Sequence, residues 1–297
     1  MTHDLFVGVT SWNSELFLPL CLQALQKTTQ GINTHICVLD NVSQDGSVSI
    51  ARKQGVDVVV RSCTQPEALN MLIRRSKATY TLLIHADVIM LNNSWFQLCR
   101  SKMGDGIVLV SPEDIGCGPL TRPFGAGKPE SSFMLFETKA LKSARRIVWR
   151  SKKRIPIPRK EFDFSGGHVT HHIPHLLQAR GLSWFAMGVH ASNREETSFY
   201  VPSEPAKVWS PELGHLRYGL GNFYTIDGVI THYHNWYDRV ITAKTEGAAT
   251  RTASKAGSKE FPGDFINQYS SRFLADYQGG NVDLPRDLYS NRKPQAL

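Results

Sequence analysis

Residues 35–47 read HICVLDNVSQDGS, a short apolar run that ends in a cluster of polar residues. The apolar part has the composition of a buried strand, and Asp45-Gly46-Ser47 favours a sharp turn into a helix. Similar apolar runs occupy residues 5–10, 56–60 and 80–84, and the segments between them have helical spacing. The first part of the chain therefore predicts alternating strands and helices, with a parallel sheet covered by helices on both faces.

The polar residues of this half follow the ends of the predicted strands. In open α/β sheets of this kind, ligands bind beyond the carboxyl ends of the strands. These positions are therefore the candidates for a binding site. They are Thr10, Trp12 and Asn13 after the first strand, Asp40, Asn41 and Ser43 after the second, Arg61 after the third with Asn70 in the next helix, and His85, Ala86 and Asp87 after the fourth.

The order and spacing of these elements resemble glycosyltransferase family 2. The matching elements are residues 10–13, the Asp-Asn-x-Ser-x-Asp-Gly-Ser run at 40–47, Ala68-x-Asn70, and His85-Ala86-Asp87 in the place of an Asp-x-Asp motif. The resemblance covers about residues 5–91. It implies an α/β GT-A fold, which is a Rossmann-like, mostly parallel sheet flanked by helices, with a C-terminal extension on the acceptor side.

The same resemblance suggests a division of the chain into functional parts. Residues 1–110 are expected to form the half that binds the nucleotide-sugar donor, and residues 111–240 the acceptor-binding and catalytic half of the same domain. Residues 241–297 are expected to form a flexible loop or lid and a C-terminal extension, because residues 244–259 are rich in small and polar side chains.

The resemblance also implies a donor site. A UDP-sugar is the default donor, with GDP- and dTDP-sugars as alternatives. Asp40 is expected to accept hydrogen bonds from the nucleobase or ribose, whereas Asp45 is either part of the site or a cap of the following helix. The residues implied in donor binding are Thr10, Trp12, Asn13, Asp40, Asn41, Ser43, Arg61, Asn70, His85 and Ala86.

A divalent cation, Mn²⁺ or Mg²⁺, is implied at His85-Ala86-Asp87. Asp87 retains the last carboxylate of the family's motif, and His85 in place of the first slightly favours Mn²⁺, which tolerates imidazole. GT-A enzymes often complete the metal site with a late histidine. His232 and His234 are the candidates, since they alternate along the β-like run 225–236 and share one face of it. His190 is an alternative, and a helix cap at Asp87 or ordinary hydrogen bonding of the histidines would be the simpler interpretation.

An inverting enzyme of this family needs a general base for the acceptor hydroxyl. The family's Glu-Asp pair is absent before the helix predicted at residues 173–180, and the candidates that remain are Asp163, His171 and His172. The spacing of His168, His171, His172 and His175 also matches one face of a helix and so raises the hypothesis of a zinc site. Gly166-Gly167 and Pro174 argue against a continuous helix there.

Composition limits the class of protein. The chain has 297 residues, 41% hydrophobic residues and a formal net charge of +8, which is typical of a globular protein with anionic partners. There is no apolar run long enough for a transmembrane helix and no secretory signal, so we expect a cytoplasmic protein. The basic run 139–160 is expected to be a solvated surface or a site of peripheral membrane contact, and no nucleic-acid motif accompanies it.

The sequence therefore predicts an inverting glycosyltransferase that moves a sugar from a nucleotide-diphosphate sugar to a hydroxyl acceptor, such as a glycan or a lipid-linked glycan. One alternative is a non-catalytic, glycosyltransferase-like binding protein, because the Asp-x-Asp motif is altered and the Glu-Asp pair is missing. Another is a zinc hydrolase built on the histidine cluster. A nucleotidyltransferase is disfavoured, since residues 10–16 lack a glycine-rich loop for a triphosphate.

Overall fold

The computed structural model describes residues 3–114, 116–117, 120–121, 127–143, 169–170, 172–191, 218, 221–235 and 263–284. Four strands and three helices alternate in the first part of the chain. They are β1 (Leu5–Ser11), α1 (Leu18–Thr28), β2 (Thr34–Asp40), α2 (Ser47–Lys53), β3 (Asp57–Val60), α3 (Gln65–Arg75) and β4 (Tyr80–His85). The strands lie in the order β3-β2-β1-β4 and all their pairs are parallel, as the sequence predicts.

The later elements are shorter and more irregular. They are β5 (Val88–Met90), α4 (Trp95–Arg100), β6 (Ile107–Pro112), β7 (Gly116–Cys117), β8 (Leu120–Thr121), β9 (Phe133–Glu137), α5 (Thr138–Ser143), α6 (Ile173–Gln178), β10 (Ser183–Ala191), β11 (Gly221–Ile226), β12 (Val229–Asn235) and α7 (Gly263–Gln278). The strands β7 and β8 form a small ribbon of their own.

The main sheet has ten strands in the order β3-β2-β1-β4-β9-β6-β10-β11-β12-β5. Parallel pairing is confined to β1–β4 and to the pair of β6 with β10, and the remaining pairs are antiparallel. The predicted α/β architecture is therefore confirmed, but the expectation of a mostly parallel sheet holds only for the first half. The reason is that β9, β11 and β5 run against their neighbours.

The two faces of the parallel half are buried under different helices. Side chains alternate along the strands, so Val7 and Val9 pack in a cluster with α1, whereas Phe6 packs in a cluster with α3. Gly8 lies on the α3 face, where an added Cβ would come within 2.9 Å of Leu83 Cδ2 and 3.0 Å of Leu72 Cβ. The absence of a side chain at this position therefore allows α3 to approach the centre of the sheet.

The run predicted as one strand at residues 225–236 is a hairpin in the described region. The strands β11 and β12 are joined at Asp227-Gly228, and both residues have positive φ values of 50° and 77°. An Asp-Gly pair with positive φ at both positions is typical of a tight hairpin turn. The hairpin places β12 beside β5, and β5 follows β4 in the chain after a turn of only two residues. The end of β12 is thereby brought to the carboxyl end of β4.

Candidate functional site

The loops that follow β1 and β2 are tied to each other by hydrogen bonds. The backbone N–H of Asn13 donates to Ser43 Oγ at 2.8 Å, and that of Gln44 donates to Asn13 Oδ1 at 2.8 Å. Asn13 has a φ of 48°, which places its backbone in the left-handed region that Asn tolerates well. Three predicted donor-site residues, Asn13, Asp40 and Ser43, therefore belong to one connected loop structure.

Asp40 is completely buried at the end of β2. Its carboxylate accepts hydrogen bonds from the Ser43 backbone N–H at 2.8 Å, from Ser43 Oγ at 2.6 Å and from Ser11 Oγ at 3.0 Å. A buried carboxylate is stable only when its acceptor positions are used in this way. In this structure Asp40 therefore shapes the loop at the edge of the sheet.

Asp45 caps α2. Its Oδ1 accepts the backbone N–H of Ser47 at 3.0 Å, and its Oδ2 accepts that of Glu15 at 3.0 Å. Glu15 in turn accepts the backbone N–H of Gly46 at 2.9 Å. Asp45 therefore ties the loop after β1 to the first residue of α2, and its part in the donor site stays a prediction.

The other predicted donor residues lie near the carboxyl ends of β1, β2 and β3, except Asn70, which lies within α3. Thr10 is buried, with its hydroxyl 3.4 Å from the carbonyl of Ile84, and Trp12 is half-buried. Asn41 accepts the backbone N–H of Cys63 at 2.9 Å. Arg61 is exposed beside β3 and Asn70 is half-buried on α3. This edge therefore carries a mixture of hydrogen-bonding groups and one exposed cation.

Three of the four predicted metal residues come together at the carboxyl end of β4. His85 ends β4, Asp87 lies in the turn to β5, and His234 lies on β12 opposite Val88 of β5. One potential ligand atom from each residue lies within 4.8 Å of the others, and all three residues are buried. The donor set of one carboxylate and two imidazoles is suited to a divalent transition metal.

The ring of His85 is held by polar neighbours from two elements. Its Nε2 lies 3.0 Å from the side-chain nitrogen of Gln65 and 3.4 Å from Ser131 Oγ. Gln65 is fixed at the start of α3, where Thr64 and Glu67 form a capping box. The hydrogen-bonding role considered for His85 is therefore present together with its place in the cluster.

His234 lies between two buried carboxylates. Its Nε2 is 3.4 Å from Asp87 Oδ1, and its Nδ1 is 3.2 Å from Glu130 Oε1. Burial alone would lower the pKa of His234. The negative charges of Asp87 and Glu130, together with their hydrogen bonds to the ring, outweigh burial and raise the pKa to about 9. Glu130 was missed by the sequence reasoning, because residues 127–132 (GKPESS) contain no motif that indicates a site.

His232 does not join the cluster, so its prediction as a metal residue is not supported. Its ring is stacked between Phe133 and Tyr224, with centroids 4.3 Å and 4.6 Å away, and its Nδ1 lies 2.9 Å from Thr231 Oγ1. Burial and the nearby His234 hold the pKa of His232 well below its usual value. The ring of His232 is therefore neutral and packs between two aromatic side chains.

Other predicted residues lie apart or outside the described part of the chain. His190 is half-buried beside Thr225 and does not belong to the group of His85, Asp87 and His234, and burial lowers its pKa. Asp163, His168 and His171 lie outside the described residues, as do most of the basic run and residues 241–262. His172 is buried at the start of α6, whereas His175 is exposed on that helix. Among the described residues, the metal-capable group is that of His85, Asp87 and His234.

The segment that contains the candidate base His172 is joined by a hydrogen bond to the chain next to Glu130, which contacts His234. The hydroxyl of Thr170 donates a hydrogen bond to the carbonyl oxygen of Pro129, the residue before Glu130. His172 follows two residues later and is 7% exposed. The segment therefore lies next to the chain that supplies Glu130.

The sequence model of glycosyl transferase family 2 matches residues 6–160, which is just over half of the chain. The chain belongs to glycosyl transferase family 2. The matched range includes the loops after β1 and β2, the His85-Ala86-Asp87 motif and Glu130, whereas His172 and His234 lie beyond it. A comparison with curated proteins gave no match.

Solved structures of glycosyltransferases resemble the chain at low identity. Glucosyl-3-phosphoglycerate synthase from Mycobacterium tuberculosis, in complex with Mn²⁺, UDP and glucosyl-3-phosphoglycerate, is 17% identical with a TM-score of 0.39, over 48% of this chain and 59% of that one. A mannosyltransferase from Pyrobaculum calidifontis, in complex with GDP-Man and Mn²⁺, is 12% identical with a TM-score of 0.43, over 95% and 77%. The family 2 chain thus spans under two thirds of the length of the synthase. Within its described residues, no helix has the length and apolar character needed to cross a membrane.

Proposed function

We propose that this family 2 protein is a divalent-metal-dependent, inverting glycosyltransferase that moves a sugar from a nucleoside-diphosphate sugar to a hydroxyl acceptor. The observation that carries the proposal is the buried group of His85, Asp87 and His234 at the carboxyl end of β4. This is the edge of an α/β sheet at which ligands bind. It is also the place where the family resemblance puts the metal that binds a sugar diphosphate.

The residues present fit a divalent cation. Asp87 offers a carboxylate oxygen, and His85 and His234 each offer an imidazole nitrogen, which together suit Mn²⁺ better than Mg²⁺ because Mg²⁺ prefers oxygen ligands. A cation bound there would neutralise the charge that develops on the leaving diphosphate. Mn²⁺ is therefore the proposed cofactor, with Mg²⁺ as the alternative.

The donor is expected to lie along the edge formed by the loops after β1, β2 and β3. The backbone around Asn13 and Ser43 is fixed by Asp40, which gives this edge a defined shape. Arg61 is exposed there and carries a positive charge that suits an anionic donor. A UDP-sugar is the proposed donor, and GDP- and dTDP-sugars are the alternatives.

The acceptor hydroxyl loses its proton to a base as its oxygen bonds to the anomeric carbon. The bond between that carbon and the diphosphate oxygen breaks in the same step, which inverts the configuration. His172 is a candidate base because its segment is tied to Pro129, next to Glu130, and Asp163 and His171 are its rivals. A glycan or lipid-linked glycan is the proposed acceptor class, in the cytoplasm and with peripheral membrane contact through residues 139–160.

The first experiment measures the melting temperature of the full chain with UDP, GDP, dTDP or CDP, each with Mn²⁺, Mg²⁺ or EDTA. A ligand that binds only the folded state stabilises it by about 2.7 kcal/mol at one hundred times its dissociation constant. We expect a Mn²⁺-dependent shift with one nucleotide, and loss of that shift in Asp87→Asn. The matched control is Asp105→Asn, since Asp105 is exposed in a turn.

The outcome separates the candidate functions. Transfer of sugar to an acceptor, or slow hydrolysis of the donor, together with the shift supports the enzyme. The shift without any turnover of matching nucleotide sugars would favour the non-catalytic binding protein, which the altered Asp-x-Asp motif also suggests. No shift with any nucleotide would contradict the donor site, and zinc in the purified protein would then favour the hydrolase.

A further inference from the structure

Glu130 links the metal cluster to the hairpin behind it. Its Oε1 lies 3.2 Å from His234 Nδ1, and its Oε2 accepts a hydrogen bond from the Tyr224 hydroxyl at 3.0 Å. Glu130 is 3% exposed and Tyr224 is fully buried. Both oxygens of a buried carboxylate are therefore directed at named partners, one of which belongs to the cluster.

We propose that Glu130 is a positioning residue that, with Tyr224, holds the ring of His234 so that its Nε2 faces Asp87 and the cation. This inference rests on the proposed metal-dependent function. An imidazole that binds a cation has given up the proton on the binding nitrogen, and it then carries a proton on the other nitrogen only. The carboxylate of Glu130 beside Nδ1 keeps the proton there, and Nε2 then has the lone pair that a metal needs.

The backbone around Glu130 is anchored well enough for such a role. The N–H of Glu130 donates to the carbonyl of Pro112 at 2.8 Å, and its carbonyl accepts the Ser111 hydroxyl at 3.0 Å. These contacts fasten residue 130 to the end of β6. A side chain that orients a ligand acts through such rigid support, because small errors in its position are passed on to the ligand.

Tyr224 is anchored independently on the hairpin. It lies opposite His232 in the β11–β12 pair, and its ring stacks on that histidine with a centroid distance of 4.6 Å. The ring of His234 lies 6.5 Å from Tyr224 on the same face. The tyrosine hydroxyl is thus placed by the strand next to the one that carries His234, and it fixes the second oxygen of Glu130.

Two other roles for Glu130 make different predictions. As a direct ligand, it would belong to the group whose ligand atoms lie within 4.8 Å of one another, but that group contains His85, Asp87 and His234. As a general source of negative charge, it would attract a cation whether or not His234 is present. Only a positioning role depends on the imidazole, and this dependence can be measured.

The test is a double-mutant cycle on Mn²⁺ affinity, read from the electron paramagnetic resonance signal of free Mn²⁺ titrated with the full chain in the absence of nucleotide. The variants are Glu130→Gln, His234→Ala and the double substitution. Loss of a carboxylate partner of a ligating histidine typically weakens metal binding by about 10–100-fold. We expect a loss of this size for Glu130→Gln in the wild-type background, and almost none when His234 is already alanine.

Two further variants serve as a second test and as a control. Tyr224→Phe removes only the hydroxyl. It is expected to weaken Mn²⁺ binding by a smaller factor than Glu130→Gln, again only when His234 is present. This variant keeps a test available if Glu130→Gln does not fold. Glu137→Gln is the charge-matched control, since Glu137 lies at the opposite end of β9 from Phe133. It is expected to leave Mn²⁺ affinity unchanged.

The results distinguish this inference from the proposed function. An equal loss of affinity in both backgrounds, or no loss in the wild-type background, would overturn the positioning role and leave the metal site intact. Failure of the wild-type chain to bind Mn²⁺ at all would overturn both. A loss that disappears in the His234→Ala background supports the inference, because neither direct ligation nor general charge attraction requires the imidazole.

Discussion

The backbone N–H of Asn235 donates a hydrogen bond to the carbonyl oxygen of Asp87 at 3.1 Å. This contact fastens the end of β12 to the turn after β4 and so sets His234, the residue before Asn235, beside Asp87. The turn that contains Asp87 and the strand that contains His234 are therefore joined by main-chain atoms. Their hydrogen bond does not depend on the identity of the side chains. Substitution of the cluster side chains can accordingly be used to test their chemistry.

Restoring the family's Asp-x-Asp motif with His85→Asp should change the choice of metal. The substitution replaces a nitrogen ligand with an oxygen ligand, which Mg²⁺ prefers. We expect the ratio of Mg²⁺ to Mn²⁺ affinity to rise by about tenfold, equivalent to about 1.4 kcal/mol. The measurement is competition of Mg²⁺ with Mn²⁺ in the resonance titration, with Gln65→Ala to assess loss of the contact with His85 alone. An unchanged ratio would mean that His85 is not a ligand.

Asp40→Asn should destabilise the protein as well as weaken nucleotide binding. The amide keeps only one acceptor atom and turns a donor toward Ser11 or Ser43, although the carboxylate here accepts three hydrogen bonds. Hydrogen bonds to charged groups contribute about 1.5–3 kcal/mol each, so we expect a loss of about 2–3 kcal/mol in the free energy of unfolding. Urea denaturation measures this loss directly.

Ser11→Ala is the graded control for Asp40→Asn. It removes one donor and leaves the carboxylate in place, so we expect a loss of about 1.5 kcal/mol, the lower end of the range for one hydrogen bond to a charged group. If Asp40→Asn abolished nucleotide binding and left the unfolding free energy unchanged, the carboxylate would act on the nucleotide directly. The loop-shaping role described above would then be secondary.

The parallel half of the fold could be predicted from the sequence for a physical reason. The strands β1, β2 and β4 are nearly continuous apolar runs because both of their faces are buried, and the run of β2 is followed by the turn-forming residues Asp45-Gly46. The locations of Thr10, Asp40 and Asp87 followed from the same pattern. The same pattern does not fix the ends of the helices: α1 begins at Leu18, after a turn at residues 15–17.

The second half could not be predicted to the same degree because its contacts join distant segments. The strand β5 has only three residues and its partner β12 lies far along the chain, so no local sequence pattern predicts that the two strands pair. The Asp227-Gly228 turn was a usable signal for the hairpin that went unused. Glu130 carried no signal of its own, since its importance comes from contacts with His234 and Tyr224 that exist only in the folded chain.

Gly8→Ala should destabilise the centre of the sheet. A Cβ at this position would lie 2.9 Å from Leu83 Cδ2 and 3.0 Å from Leu72 Cβ, so α3 or β4 must shift to make room. Overpacking of this kind costs about 1–3 kcal/mol, and we expect the melting temperature to fall accordingly. Val60→Ala on the exposed edge strand β3 is the control, with an expected effect within about 0.5 kcal/mol. A melting temperature equal to that of the wild type would show that Leu72 and Leu83 can move aside without cost.

His172→Gln should slow sugar transfer and leave donor binding intact if His172 is the general base. Loss of a general base lowers kcat by about 10²–10⁴-fold. We expect a fall in this range, with an unchanged KM for the donor and unchanged Mn²⁺ affinity. Donor turnover with the active nucleotide sugar, measured by release of the nucleoside diphosphate, provides the rate. His175→Gln is the matched control, since His175 lies on the same helix but is exposed.

Asp163→Asn and His171→Gln complete this last test, since both remain candidates from the sequence. The variant that loses kcat while it retains donor KM and Mn²⁺ affinity identifies the base. If His172→Gln kept full activity and Asp163→Asn lost it, the base would be the carboxylate, and the buried His172 would serve only to begin α6. Full activity in all three variants would contradict the placement of the acceptor site in this segment.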